Sequence, residues 1–240
     1  MDAKDKLLDG IGAIRLNVTF DHEAIAAETA DLPYQQAPQR HPRNHHSVKV
    51  VALRRQEGEE FKDQPTFKER LPKTWDMLHN LLPSTPNRAL LGQLAADSYI
   101  SIHSDRGKYF QDHIRVHFVI RSNPKVRVYG AGYFYSMLPG EVWALRNLAE
   151  HGVMNEDPDL TRLHLISDFD PTPELLQMLA EGQKDLGQKD PESLWRLHKL
   201  SRVSRNEHPS MNLWYETQQF FQDKKRGVAL GLGRMLNRAS

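Results

Sequence analysis

Residues 98–105, S-Y-I-S-I-H-S-D, residues 114–120, I-R-V-H-F-V-I, and residues 161–168, T-R-L-H-L-I-S-D, decide the fold. Each runs close to period two, the pattern of a strand with two unlike faces. Between them, K-V-R-V-Y-G (125–130), Y-F-Y-S-M (133–137) and E-V-W-A-L (141–145) are further strand candidates. S-N-P at 122–124 and Pro139-Gly140 supply turns. Short strands at this spacing, with no long helical crossover, predict an antiparallel sandwich or barrel and argue against a parallel α/β sheet.

Working outward, residues 11–20 predict a strand, and Asp21 a short capped helix through Ala24, Ile25 and Ala27. Residues 31–47 carry Pro33, Pro38 and Pro42 among polar residues and read as irregular, with His41, His45 and His46 in a solvated loop. Residues 47–54 predict a strand, and the charged stretch 55–65 with Gly58 a turn or mobile loop. From Phe67 to Leu82, one helical face would carry Leu71, Trp75, Leu78 and Leu82. Residues 88–95 read equally as strand or short helix. Beyond Pro171 the pattern turns helical over 171–182, 191–200 and 211–222. Trp195, Trp214, Phe220 and Phe221 give this tail too much apolar surface to float free. The expected division is a barrel domain over 1–170 and a helical extension over 171–240. The extension would pack on the barrel, cover one mouth, or form a homodimer contact through its helices.

Composition narrows the chemistry. A chain of 240 residues with 26% charged and 39% hydrophobic residues suits a globular protein with a substantial core. A formal net charge of +1 offers no bulk argument for nucleic acid as a partner. No window approaches the roughly 18 apolar residues of a membrane span, and the polar start M-D-A-K-D-K is unlike a secretory signal, so a cytoplasmic location is expected. With no cysteine, disulfides and thiolate chemistry are excluded, and a metal must be held by nitrogen and oxygen.

His103 and Asp105 stand two residues apart, a spacing that places both on one face of an extended strand. A lone H-x-D is ordinarily structural. Here it ends an apolar strand and precedes a charged, glycine-containing loop, 104–113. His151 lies between two strand candidates, next to Gly152, where backbone can approach a site closely. A second histidine would complete a two-histidine, one-carboxylate set with open positions, the arrangement of non-haem Fe(II) oxygenases. Arg115 and His117 share one strand face, and Arg162 and His164 another. Each arginine reads either as a fork for a planar carboxylate or as a surface salt bridge.

In order and separation, I-H-S-D, I-R-V-H-F-V-I, P-G-E-V-W-A-L, H-G and R-L-H-L-I-S-D resemble the aspartyl/asparaginyl β-hydroxylase family, and within it the L-proline cis-4-hydroxylase-like branch. The resemblance is strong over residues 99–168 and weaker beyond. It implies a mainly β, double-stranded β-helix (jelly-roll, cupin-like) core with flanking helices. It also implies Fe(II), 2-oxoglutarate and dioxygen as cofactor and co-substrates. Carried over, His103, Asp105 and His151 are the metal ligands, and Arg162 takes the distal carboxylate of 2-oxoglutarate. His117 contacts the co-substrate nearer its other end, and Arg115 serves either co-substrate or substrate. Some relatives lack the carboxylate ligand, so Asp105 sides with the full triad.

The implied activity is a dioxygenase that hydroxylates an unactivated carbon, with a free amino acid or related small metabolite as first-choice substrate. A peptidyl or carrier-bound amino acid comes second. A cupin-like metal enzyme of other chemistry and a non-catalytic binding protein remain as alternatives. Arg106, Tyr129, Tyr133, Tyr135, Trp143, Arg146 and Asn147 are the candidate substrate contacts, with Arg106 toward a substrate carboxylate and the aromatics as an apolar wall. Asn155 is read as shaping the loop after His151.

Overall fold

The structure, a computed structural model, describes residues 3–36, 45, 47–58 and 60–207. Helix α1 (Ala3–Leu8) precedes strand β1 (Ala13–Thr19) and helix α2 (His22–Thr29). Asp21 caps α2, its Oδ1 accepting from the Ala24 N–H at 3.0 Å. Strand β2 (Gln35–Gln36) pairs with β3 (Val48–Glu57). The stretch 55–65 is not the expected loop. β3 runs on to Glu57 and forms a hairpin with β4 (Glu60–Asp63), turning at Gly58 with φ +65°. Its charges suit a hairpin that projects from the core into water.

The single helix expected over 67–82 is divided into α3 (Pro65–Lys68) and α4 (Pro72–Asn80). Pro72 lacks an N–H to continue a helix but is well placed to start one. The ambiguous 88–95 is strand β5 (Pro86–Leu94), which lies between β3 and β12. A strand covered on both faces carries a leucine run without a clear period. Then follow β6 (Ser98–His103), helix α5 (Lys108–Asp112), β7 (Ile114–Arg121), β8 (Val126–Gly130), β9 (Tyr133–Tyr135), β10 (Glu141–Leu145), β11 (His151–Asn155) and β12 (Arg162–Phe169). Helices α6 (Pro173–Glu181) and α7 (Pro191–Glu207) complete the described chain. The helix expected over 211–222, with Trp214, Phe220 and Phe221, lies outside the described residues, as do His41 and His46.

The strands form two antiparallel sheets. The larger runs β1-β10-β7-β12-β5-β3-β2, with β4 paired to β3, and the smaller runs β6-β11-β8-β9. From β6 to β12 the chain passes back and forth between the sheets, with only the β8–β9 hairpin staying within one, which gives the expected double-stranded β-helix. One face of the large sheet, with Val116, Phe118, Leu163 and Leu165, packs on helical residues such as Ile25, Leu78, Leu175 and Leu179. The other face brings Val119, Trp143 and Leu145 against Ile100, Val128 and Val153 of the small sheet. Alternation along β7 therefore sends Arg115 and His117 between the sheets.

The helical tail packs where it is described. α7 covers the outer face of the small sheet, with Leu197 against Tyr129, Phe134 and Met154. Arg127 ties its start by donating to Asp190 at 2.6 Å, Ser193 Oγ at 2.7 Å and Glu156 at 2.6 Å. Hydrogen bonds from Ser193 and from Arg127 hold the Asp190 carboxyl down at about 2. No described helix is long and apolar enough to cross a membrane.

Gly12 is where β1 closes onto the small sheet. A Cβ there would fall 2.1 Å from the Gly130 carbonyl oxygen, a backbone atom with no rotamer to yield. The Gly12 N–H donates to Tyr135 Oη at 3.0 Å and its carbonyl accepts from Arg146 N at 2.9 Å, which holds the segment in place. Gly12→Ala should lower the free energy of unfolding by about 1–3 kcal/mol, read as a lower urea midpoint. An unchanged midpoint would contradict this close approach.

Candidate metal centre

His103 and His151 face each other across the β6–β11 pair, with ring centroids 4.2 Å apart. The pairing that brings them together is irregular. Ile100 opposes Val153 and His103 opposes His151, so β6 carries one residue more than β11 over this span. Such a bulge reverses the parity of the strand. Ile100 enters the core between the sheets, Ile102 packs outside among Tyr129 and Leu197, and His103 turns inward again. Gly152 lies against the bulge. A Cβ there would sit 2.9 Å from the Ile100 carbonyl oxygen, so the bulge requires glycine at this point.

Both imidazoles are oriented by backbone. His103 Nδ1 lies 2.7 Å from the Ser101 carbonyl and His151 Nδ1 lies 3.0 Å from the Ala149 carbonyl. A carbonyl only accepts, so each Nδ1 carries the proton and each Nε2 presents a lone pair. Asp105 is not on the strand, as its spacing suggested, but in the loop after it. Its N–H donates to the Asn147 carbonyl at 2.9 Å, and Asn147 Nδ2 donates to its Oδ2 at 3.1 Å. Arg115 Nη1 donates to the same oxygen, leaving Oδ1 for a metal. Burial pushes the Asp105 carboxyl up, but Arg115, the two histidines and Asn147 outweigh it and hold the group well below the ordinary carboxylate range. One ligand atom from each of His103, Asp105 and His151 falls within 4.8 Å of the others. These groups fit a divalent ion with nitrogen and oxygen ligands, and they leave neighbouring positions open.

Around this triad, Arg115 binds Asp168 through Nε at 2.8 Å and Nη2 at 3.1 Å. Tyr109 Oη donates to the same carboxylate at 3.1 Å, anchoring the loop that follows Asp105. A second cluster lies on the inward faces of β7 and β12. Arg162, 2% exposed, donates from Nη2 to His164 Nδ1 at 2.7 Å. His117 Nδ1 stands 3.3 Å from His164 Nδ1. Because arginine only donates, His164 accepts at Nδ1 and is neutral with its proton on Nε2. Burial, with Arg162 and His117 adding to it, holds the His164 pKa well below the ordinary value. The His164 Nε2 is a buried donor with no partner among the described residues. Gly92 opposes His164 across the strand pair and adds no side chain there. A buried guanidinium beside an unanswered donor suits a carboxylate ligand.

The residues expected to contact substrate divide. Asn147 is at the triad, and Arg106 is exposed directly after Asp105. Tyr129 is not part of an inner wall, because alternation along β8 turns Val128 inward and Tyr129 out beneath α7. Arg146 is paired with Asp9 at 3.1 Å. Trp143 and Tyr135 are buried in the core between the sheets, their rings 5.9 Å apart, with the indole N–H on Glu141 at 2.9 Å. Tyr133 packs at the edge of that core, with the Lys189 ammonium 5.6 Å from its ring. Asn155 Nδ2 ties the Ala95 carbonyl at 2.7 Å and the Leu160 carbonyl at 2.8 Å. Sequence reasoning missed Asp168, although it lies six residues after Arg162 and so on the same strand face. It also missed Tyr109, which no pattern marks, and His45, whose ring meets His103 edge-on at 5.0 Å.

Asp168→Asn should cost about 3–5 kcal/mol in unfolding free energy, because Arg115 would lose its two-pronged partner in a buried site. Urea unfolding of the metal-free protein measures it, and a loss under about 1 kcal/mol would place the pair among weak surface contacts.

Residues 17–171 match the aspartyl/asparaginyl beta-hydroxylase family, well over half of the chain. No curated protein matches. Among solved structures, an oxidoreductase of the 2OG-Fe(II) oxygenase family from Burkholderia pseudomallei is similar at 18% identity, covering 72% of this chain and 92% of its own, with a TM-score of 0.48. A prolyl hydroxylase from Trichoplax adhaerens, in complex with a hypoxia inducible factor peptide fragment, is similar at 10% identity, 73% and 90% coverage, and a TM-score of 0.47. HygX from Streptomyces hygroscopicus, with nickel and 2-oxoglutarate bound, is similar at 12% identity, 72% and 88% coverage, and a TM-score of 0.45. By the match over 17–171, with its H-x-D and distant histidine brought together in space, the chain belongs to the aspartyl/asparaginyl beta-hydroxylase family.

Proposed function

We propose that this chain is an Fe(II)/2-oxoglutarate-dependent dioxygenase that hydroxylates an unactivated carbon of a free amino acid or related small metabolite. The observation that carries the reading is the triad: two imidazoles with Nδ1 committed to backbone carbonyls, and a carboxylate held ionised beside them. Bound iron, with 2-oxoglutarate and dioxygen, supplies oxidative decarboxylation of the co-substrate to succinate and carbon dioxide, coupled to hydroxylation. His103, Asp105 and His151 hold the metal. Arg162 takes the distal carboxylate of 2-oxoglutarate, and His117 contacts the co-substrate nearer the metal.

Arg115 is assigned to Asp105 rather than to substrate, since both edges of its guanidinium are engaged by carboxylates. Arg106, exposed just after Asp105, is assigned a substrate carboxylate, and Asn147 lies against Asp105. The carboxylate ligand favours the L-proline cis-4-hydroxylase-like branch over relatives that lack one. No strong base is required of these residues. Their work is to orient the reactants and to keep water from the reacting centre.

Anaerobic protein with Fe(II) and 2-oxoglutarate should develop the weak visible charge-transfer band of the chelated complex, and His151→Ala should abolish it. Wild-type protein with neither the band nor stoichiometric iron would refute the assignment. Arg162→Ala should weaken 2-oxoglutarate at least about 30-fold, the equivalent of about 2 kcal/mol, with iron affinity retained. Equal loss of both would remove the specific role of Arg162. Succinate release against a panel of amino acids tests the substrate class.

A further inference from the structure

At the bulge that aims His103, the Ile102 N–H donates out of the small sheet to Ser201 Oγ of α7 at 2.9 Å. Ser201 is fully buried, and its own hydroxyl donates to the Leu197 carbonyl at 2.7 Å. The hydroxyl proton is thereby committed within the helix, and the oxygen lone pair is presented to the strand. Ile102 N belongs to the same peptide group as the Ser101 carbonyl, and that carbonyl accepts from His103 Nδ1 at 2.7 Å. One rigid peptide plane is therefore held at its N–H end by the helix and at its oxygen end by the imidazole.

The helix is brought close enough for this by Gly152, where a Cβ would stand 3.3 Å from Leu197 Cδ2. Tyr99 Oη donates to the Leu200 carbonyl at 3.3 Å on the other side of the bulge. Ser201 lies outside residues 17–171, the span shared with the family.

We propose that Ser201 is a positioning residue for the metal ligand His103, acting through the Ser101–Ile102 peptide. The inference rests on the reading that the triad binds a divalent ion. Without the Ser201 oxygen, the peptide is free to rotate toward another acceptor for its N–H. Rotation moves the Ser101 oxygen and loosens the imidazole that points Nε2 at the metal. Outer partners of metal-binding histidines are typically worth about 10- to 100-fold in metal affinity.

The test uses Co(II) as a redox-stable probe with the full-length protein. Its affinity and its visible ligand-field bands are recorded for wild type, Ser201→Ala, Ser201→Thr and Leu194→Ala. Leu194 packs on the same outer cluster and its side chain has no group that could hydrogen-bond the peptide, so its variant controls for lost helix packing. Ser201→Ala should weaken Co(II) by roughly 10-fold or more and alter the bands. Ser201→Thr, which keeps the hydroxyl, should recover most of the affinity. Leu194→Ala should stay within about twofold of wild type, the scale of an indirect contact. Should Ser201→Ala not fold, Ser201→Cys fills the same space with a poor acceptor and should show the same loss. Wild-type affinity and bands in the Ala or Cys variant overturn the proposal, as does a loss shared equally with Leu194→Ala. Failure of wild-type protein to bind Co(II) overturns the metal reading itself, and this inference with it.

Discussion

A guanidinium buried between two sheets must be answered by negative charge or it destabilises the fold by several kcal/mol. At Arg115 two carboxylates meet that condition. Asp168 answers with both oxygens and Asp105 with one, so the cation is shared between a strand carboxylate and the loop carboxylate of the triad. The sharing determines much else. It keeps Asp105 ionised despite its burial, and it fixes which oxygen is left over. Through Tyr109 on Asp168, it also anchors the loop that carries Asp105.

The parts legible in the sequence are those that depend on one strand at a time. Alternation along 114–120 separates Val116 and Phe118 from Arg115 and His117, and the structure places the two sets on opposite faces. The ligand residues were legible because they are few, polar and set among apolar strands. Asp168 was legible by the same period-two rule from Arg162 and was overlooked near the end of its strand.

What pairing decides was not legible. The bulge at 101–102 exists only in relation to β11, and β11 itself, H-G-V-M-N, is buried along its whole length and shows no alternation. Tyr129 illustrates a further limit. Its parity along β8 could be read, but the side covered by α7 could not, because that follows from Gly152, Leu197 and the Arg127 anchor together. The first strand of the hairpin at 48–63 was legible, but its continuation beyond residue 54 was read as a turn or loop from its charge. A charged segment can still pair when its backbone bonds need no core beneath them.

The three members of the triad are not held with equal stiffness. His103 and His151 stand on neighbouring strands of one sheet, joined by a ladder of backbone hydrogen bonds. Asp105 is referred to the opposite sheet, through Arg115 on β7 and Asp168 on β12. Strands within a sheet move as a body, whereas packed layers can slide on their side chains by small shear displacements. Breathing of the barrel would therefore leave the spacing of the two imidazoles almost constant and shift the carboxylate against them. The soft coordinate of this centre is the distance from oxygen to nitrogen, and the two sheets set it as the jaws of a caliper set its gap.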